Sequence, residues 1–210
     1  MGSVPPELAA ALRDRLGLRR AVETGTYLGG GARLLASLFE SVVTIELSES
    51  LAARAAQELA DRPNVTVRQG DSRQVLPELA AADVPTLYWL DGHWSGGETA
   101  GAEHECPLLE ELAAIGADTA EIALLVDDAR LFTASPPPPH DPAAWPTIVE
   151  VFDALRSARR GHHVTVLRDL VIAVPGRARD LVNRFGRGEL DAQPDVPAPS
   201  RRFARYREKR

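Results

Sequence analysis

The 210 residues (22.7 kDa) are enough for one domain with a sizeable core, and 44% hydrophobic with 26% charged residues is the make-up of a soluble globular chain. A formal net charge of −6 argues against a general nucleic-acid binder, and a lone cysteine, Cys106, excludes an internal disulfide framework and suits a reducing cytoplasm. The N-terminal MGSVPPELAAALRDRLG carries acids and no long apolar run, so the reading is a cytoplasmic protein with neither signal peptide nor membrane span.

Pro5 and Pro6 open a predicted helix from about Glu7 to Leu16, with Leu8, Ala11, Leu12 and Leu16 at helical spacing and Gly17 at its end. A short strand, Arg20 to Glu23, then runs into a glycine-rich turn and a helix carrying Leu34, Leu35 and Leu38. Glycines at 25, 29, 30 and 31 remove the Cβ atoms that keep a ligand from the backbone. The following helix points free N–H groups back at the turn, which suits an anionic or hydroxyl-rich ligand; a tight turn without any ligand is the plainer alternative.

The β-branched run Val42 to Leu47 is a second strand, ending in Glu46, and Ser48 caps a helix with Leu51, Ala52, Ala55 and Leu59 on one face. A third strand, Val65 to Arg68, ends in Gln69-Gly70-Asp71-Ser72 and leads to a short helix, Arg73 to Ala81. A fourth, Thr86 to Leu90, stops at Asp91-Gly92-His93-Trp94. A helix from about Pro107 to Ile115 leads to the fifth strand, Ile122 to Val126, which ends in Asp127-Asp128. After the stiff run Pro136 to Pro139 comes a helix from about Ala144 to Ala158.

Two last β runs, Val164 to Leu167 and Leu170 to Val174, are separated by Arg168 and Asp169 alone. A parallel crossover needs about a dozen residues or more, so these strands form an antiparallel hairpin. Residues 1–175 thus read as one domain, and 176–210 as a basic C-terminal tail, helical in part near Ala178 to Phe185. Its end, RRFARYREKR, reads as a solvated segment, with a partner subunit or an anionic ligand as the alternative. The whole is an α/β Rossmann-like three-layer sandwich, with a mostly parallel seven-stranded sheet closed by the hairpin.

Ligands of such sheets lie beyond the C-terminal strand ends, and here every strand from first to fifth ends in an acid: Glu23, Glu46, Asp71, Asp91 and the Asp127-Asp128 pair. Glu46 can accept from both hydroxyls of a ribose, and Asp71 can reach an adenine amino group. Solvated strand-end acids are the alternative for both. NAD and S-adenosylmethionine each fit an adenosine site. The turn is Glu23-Thr-Gly25-Thr-Tyr-Leu-Gly29, an acid before G-x-x-x-G, where a pyrophosphate calls for G-x-G-x-x-G. An acid there repels a diphosphate and suits the ammonium of a methionine moiety.

In the ordered motifs ETGTYLGGG, TIELSE, QGDS, YWLDGHW and LLVDDA, the chain resembles the class I S-adenosylmethionine-dependent methyltransferases over roughly residues 20 to 175. The resemblance implies that the cofactor is held by Glu23, Gly25, Thr26, Tyr27 and Gly29, by Glu46, by Asp71 and Ser72, and by Asp91. Asp91, Asp127 and Asp128 look like the Mg2+ ligands of the catechol-type and macrolide-sugar (macrocin-like) O-methyltransferases; hard oxygen donors suit that ion. The catechol pattern has Asp-Asn where this chain has Asp127-Asp128, and a lysine after the fourth strand, near the place of His93. His93 resembles the histidine base of the macrolide-sugar enzymes, and with Asp91 is assigned to catalysis.

Plainer roles stay open at this point: a structural His93, Asp91 serving cofactor or substrate, and Asp127-Asp128 capping a loop. Glu103, His104 and Glu105 read as polar residues before the helix that Pro107 begins, with Glu103 or Glu105 as an extra ligand the alternative. Trp94 and Trp145 can wall an acceptor pocket. The implied activity is Mg2+-assisted O-methylation of a small hydroxylated acceptor, a sugar or natural-product intermediate, with no nucleic-acid or membrane partner and with a homo-oligomer compatible. The alternatives are an NAD-dependent oxidoreductase and a non-catalytic binding module of the same fold.

Overall fold

The computed structural model describes residues 4–96 and 99–190. Its sheet has seven strands: β1 (Arg20–Thr24), β2 (Ser41–Glu46), β3 (Val65–Gln69), β4 (Thr86–Leu90), β5 (Ile122–Val126), β6 (His162–Leu167) and β7 (Leu170–Pro175). Their spatial order is β3-β2-β1-β4-β5-β7-β6. The first five are parallel, while β7 runs antiparallel to both β5 and β6. The hairpin turn is Arg168-Asp169, at φ 50 and 66. Positive φ at both central residues is what a type I′ turn needs to match the strand twist.

Side-chain alternation along the strands sorts the core into two faces. Ala21, Val42, Leu87, Ala123 and Ile172 face α1 (Pro6–Leu16), α2 (Gly30–Ala36), α3 (Glu49–Glu58) and α8 (Arg179–Gly186). Val22, Ile45, Tyr88, Leu124 and Val171 face α4 (Ser72–Ala80), α5 (Leu108–Ile115), α6 (Arg130–Thr133) and α7 (Ile148–Ala158). Burying a sheet on both faces requires near-continuous apolar strands, and β4 and β5 are buried at every position.

Three expectations are corrected. The helix expected from Ala144 begins at Ile148, because Pro146 precedes a capping box in which Thr147 accepts from the Glu150 N–H and Glu150 accepts from the Thr147 N–H. Residues 176–190 are not a tail: Leu181, Val182 and Phe185 are buried, and α8 packs on α1 with Arg15 paired to Asp180. The strand Val164–Leu167 starts earlier, at His162, so His162 and His163 lie in the sheet, half-buried. The terminal RRFARYREKR lies outside the described residues. No described helix is long and apolar enough to cross a membrane.

Candidate functional site

The strand order reverses between β1 and β4, and the crevice beyond their ends is where a ligand of such a sheet is expected. A pocket opens there. It runs from Tyr27, Glu46 and Asp71 on one side to Asp91, Gly92 and His93 on the other. Its floor needs Gly25: φ is 83, and a Cβ there would stand 2.1 Å from the Asp91 carbonyl oxygen. The turn and the end of β4 meet backbone to backbone, which only glycine allows.

Of the cofactor residues read from the sequence, Gly25, Tyr27, Glu46, Asp71, Ser72 and Asp91 line this pocket. Glu46 Oε2 accepts from the Tyr27 N–H at 2.8 Å and Oε1 from the Ser48 N–H at 2.9 Å. Burial raises its pKa and these backbone donors work against the rise. Asp71 caps α4 by accepting from the Arg73 N–H at 2.9 Å, and pairs with the Arg73 guanidinium at 2.5 Å. That pairing holds the Asp71 carboxyl below its ordinary range.

Glu23, Thr26 and Gly29 are placed elsewhere. Glu23 follows Ala21 onto the face covered by α2, where it accepts from Thr44 Oγ1 at 2.6 Å and from the Ala32 N–H. A Cβ on Gly31 would stand 2.0 Å from Glu23 Oε1. The acid is therefore a brace under the first turn of α2, and burial pushes it up to about 8. Thr26 is buried, sharing a hydrogen bond with Thr44, and Gly29 abuts Leu59.

Beside Asp91, at one end of the pocket, stand Asp127 and Asp128, which do not line it. The Asp91 side chain is nearly covered, and burial first, then repulsion from Asp127, Asp128 and Glu23, raises its pKa well above the ordinary value. Asp127 is raised by burial and by Asp128. Asp91 Oδ1 and Asp127 Oδ2 are buried without a hydrogen-bond partner. Unpaired buried carboxylate oxygens cost several kcal/mol each on an order-of-magnitude scale, so this end is built to receive positive charge.

Asp128 differs. Its backbone is left-handed, φ 58, a conformation Asp tolerates better than most residues. Its Oδ2 stands 3.0 Å from His93 Nε2, and its Oδ1 accepts from Arg130 Nη1 at 2.6 Å. Burial opposes ionisation here, but His93 and Arg130 outweigh it and hold Asp128 well below the carboxylate range. Arg130 also pairs with Asp169 of the hairpin turn. His93 Nδ1 lies 3.7 Å from Asp91 Oδ1.

A divalent cation among Asp91, Asp127 and Asp128 would find two of three ligands open, since both oxygens of Asp128 are engaged. Among the described residues no group of three or more His, Cys, Asp or Glu side chains is arranged to hold a metal. Asp91 and Asp127 each keep one oxygen without a partner, oxygen donors of the kind Mg2+ takes, and the three aspartates do not form a cage.

Sequence reading missed several groups. Glu111 is buried on α5, where Leu108, Leu112 and Ile115 define the inward face; an acid at that register was the available signal. Burial pushes it up to about 7. Its Oε1 and Thr24 Oγ1 each lie 3.0 Å from where a Cβ on Gly92 would be. Arg130 and Asp169 had no signal beyond the closeness of Arg130 to Asp128. Nor did Glu105, read as a polar residue ahead of a helix; it is buried and accepts from Trp145 Nε1.

No protein-family model and no curated protein sequence matches the chain. Solved structures do. The O-methyltransferase TomG from Streptomyces achromogenes, involved in tomaymycin synthesis and solved in complex with SAM, has TM-score 0.58 and 22% identity over 84% of this chain and 82% of that one. An O-methyltransferase from Bacillus cereus in complex with SAH has TM-score 0.57 and 16% identity, over 83% and 82%. Streptomyces venezuelae DesVI has TM-score 0.53 and 15% identity, over 81% and 89%. At such identities the likeness establishes the fold alone: the chain has the Rossmann-like sandwich of these structures.

Proposed function

We propose that this chain is an S-adenosylmethionine-dependent O-methyltransferase acting on a small hydroxylated acceptor, a sugar or natural-product intermediate, in the cytoplasm. The observation that carries the reading is a pocket joining Glu46 and Gly25 to Asp91 and His93, with an unpartnered buried oxygen on Asp91 and another on Asp127 next to it. Neighbours of the same fold were solved with SAM or SAH.

When bound, S-adenosylmethionine supplies a methyl carbon made electrophilic by the adjoining sulfonium. Glu46 would hold the ribose hydroxyls, with its backbone donors keeping it in place. Gly25 lets the turn close on the end of β4 and so forms the pocket floor, and Asp91 would place negative charge beside a cationic ligand. The ionised Asp128 accepts from His93 Nε2–H, the tautomer that leaves the Nδ1 lone pair free on the Asp91 side. His93 Nδ1 would serve as the base that takes the acceptor's hydroxyl proton; the bond broken would be the cofactor's methyl–sulfur bond, with S-adenosylhomocysteine as the leaving group. Alignment of the two reactants supplies much of the rate. A Mg2+ ion, if used, would rest on Asp91 and Asp127 and lower the pKa of the acceptor hydroxyl.

Calorimetry with S-adenosylhomocysteine, in EDTA and then with Mg2+ and vicinal diols, tests the reading. Binding in EDTA is expected, and a further metal-dependent heat that Asp127→Ala abolishes would support cation assistance. Binding of NAD in place of S-adenosylhomocysteine would overturn the assignment in favour of an oxidoreductase.

A further inference from the structure

Two loops meet beside His93. Residues 91–107 lead from β4 to α5, and residues 134–147 lead from α6 to α7. Glu105 stands between them with 6% of its surface exposed. Its Oε2 accepts from Trp145 Nε1 at 2.8 Å and faces His140 Nδ1 at 3.0 Å, while Oε1 accepts from the Asp141 N–H at 3.1 Å. Its own carbonyl accepts from the Trp94 N–H at 2.7 Å. Burial works to raise the acid, but the bonds from Trp145, Asp141 and His140 outweigh it, so the group is a carboxylate that accepts at both oxygens.

The rings gathered by this carboxylate reach the proposed base. Trp145 packs edge-on to His93, centroids 5.2 Å apart and planes at 61°. His140 packs on Trp145 at 5.2 Å, Trp94 on His140 at 5.4 Å, and Phe132 on Trp145 at 5.8 Å. The hydrogen bond from His93 to Asp128 fixes one direction of the imidazole. It leaves rotation about that direction open, and a ring packed against the imidazole closes it.

We propose that Glu105 is a positioning residue: by tying the 134–147 loop to the 91–107 loop it holds Trp145 edge-on to His93 and so fixes the ring plane of the base. The inference rests on the reading of His93 as that base. A glutamine would set an amide NH2 against one of the gathered donors, so an uncharged isostere does not replace the carboxylate.

The test uses the full 15N-labelled chain, its Glu105→Gln and Trp145→Phe variants, and S-adenosylhomocysteine as probe. The His93 ring resonances, identified by their loss in His93→Ala, are expected to shift or broaden in both variants. The dissociation constant of S-adenosylhomocysteine should stay within about twofold, as for a site not in direct contact. Unchanged His93 resonances in the folded variants would overturn the proposal. Should Glu105→Gln fail to fold, Glu105→Asp takes its place, since it keeps the carboxylate and withdraws it by one methylene from Trp145 Nε1; Trp145→Phe, which removes the Nε1–H together with the five-membered ring, tests the ring contact itself. Loss of S-adenosylhomocysteine binding in the unmutated chain sinks the methyltransferase reading instead, and leaves the role of Glu105 to be settled by the resonances.

Discussion

The two ends of the pocket solve opposite problems with the same residue type. At one end, Glu46 and Asp71 are satisfied before any ligand arrives, by backbone N–H groups and by Arg73. At the other, Asp91 and its neighbour Asp127 keep buried oxygens without partners, and repel each other and Asp128. The first end is preorganised by the fold. The second holds an electrostatic cost that a cationic ligand relieves, which is how a site makes binding depend on charge as well as shape.

Breaking each end separately sharpens that contrast. His93→Ala should lower turnover by about 10²- to 10⁴-fold, the usual worth of a general base, with S-adenosylhomocysteine affinity nearly intact. Steady-state rates with a radiolabelled methyl donor, set beside calorimetry, check it; normal turnover with lost affinity would sink the assignment. Glu46→Ala should act the other way, weakening S-adenosylhomocysteine by about 10- to 100-fold, since bonds to a charged acceptor are worth about 1.5–3 kcal/mol.

Smaller effects come from residues outside the pocket. Glu23 has an ordinary pKa of 4.5 and is pushed up to about 8 by burial. Between those values the native state holds a proton that the unfolded chain has released, so stability falls as pH rises through the window, by at most about 1.4 kcal/mol per pH unit. Glu111, pushed up to about 7, adds a fall of the same sign. Glu23→Gln should therefore flatten the drop in melting temperature between pH 5 and pH 8; an unchanged slope would show that Glu23 ionises freely. Thr147→Ala, which removes the cap of α7, should cost about 1 kcal/mol, or about 2–4 °C in melting temperature, and leave both ends of the pocket unaltered.

What the sequence disclosed follows from how each feature is encoded. β4 and β5 were legible because parallel strands buried on both faces are short apolar runs, and the acidic ends of β1 to β5 fall together once the topology is known. The direction of Glu23 was also encoded, by the alternation that sends Ala21 towards α1 and α2, yet its proximity to the glycine turn suggested the ligand. α8 was harder: one turn of Arg and Gly, RFGRG, hides the buried set Leu181, Val182 and Phe185. The role of Glu105 could not have been found. Its partners, His140, Asp141 and Trp145, lie about 35 to 40 residues away in a loop with no periodicity.

The hairpin turn has a bearing on how the chain tolerates being cut and rejoined. Because β7 runs back along β5, Arg168-Asp169 comes to the same edge as Asp128, where Asp169 accepts from the Arg130 N–H at 2.7 Å and its carbonyl accepts from the Ala129 N–H at 2.9 Å. A surface turn is ordinarily the first choice for new termini or a grafted peptide. Here that choice would unseat Arg130 and Asp128, whereas the connection at residues 159–161, on the opposite edge of the sheet, offers an opening that leaves them in place.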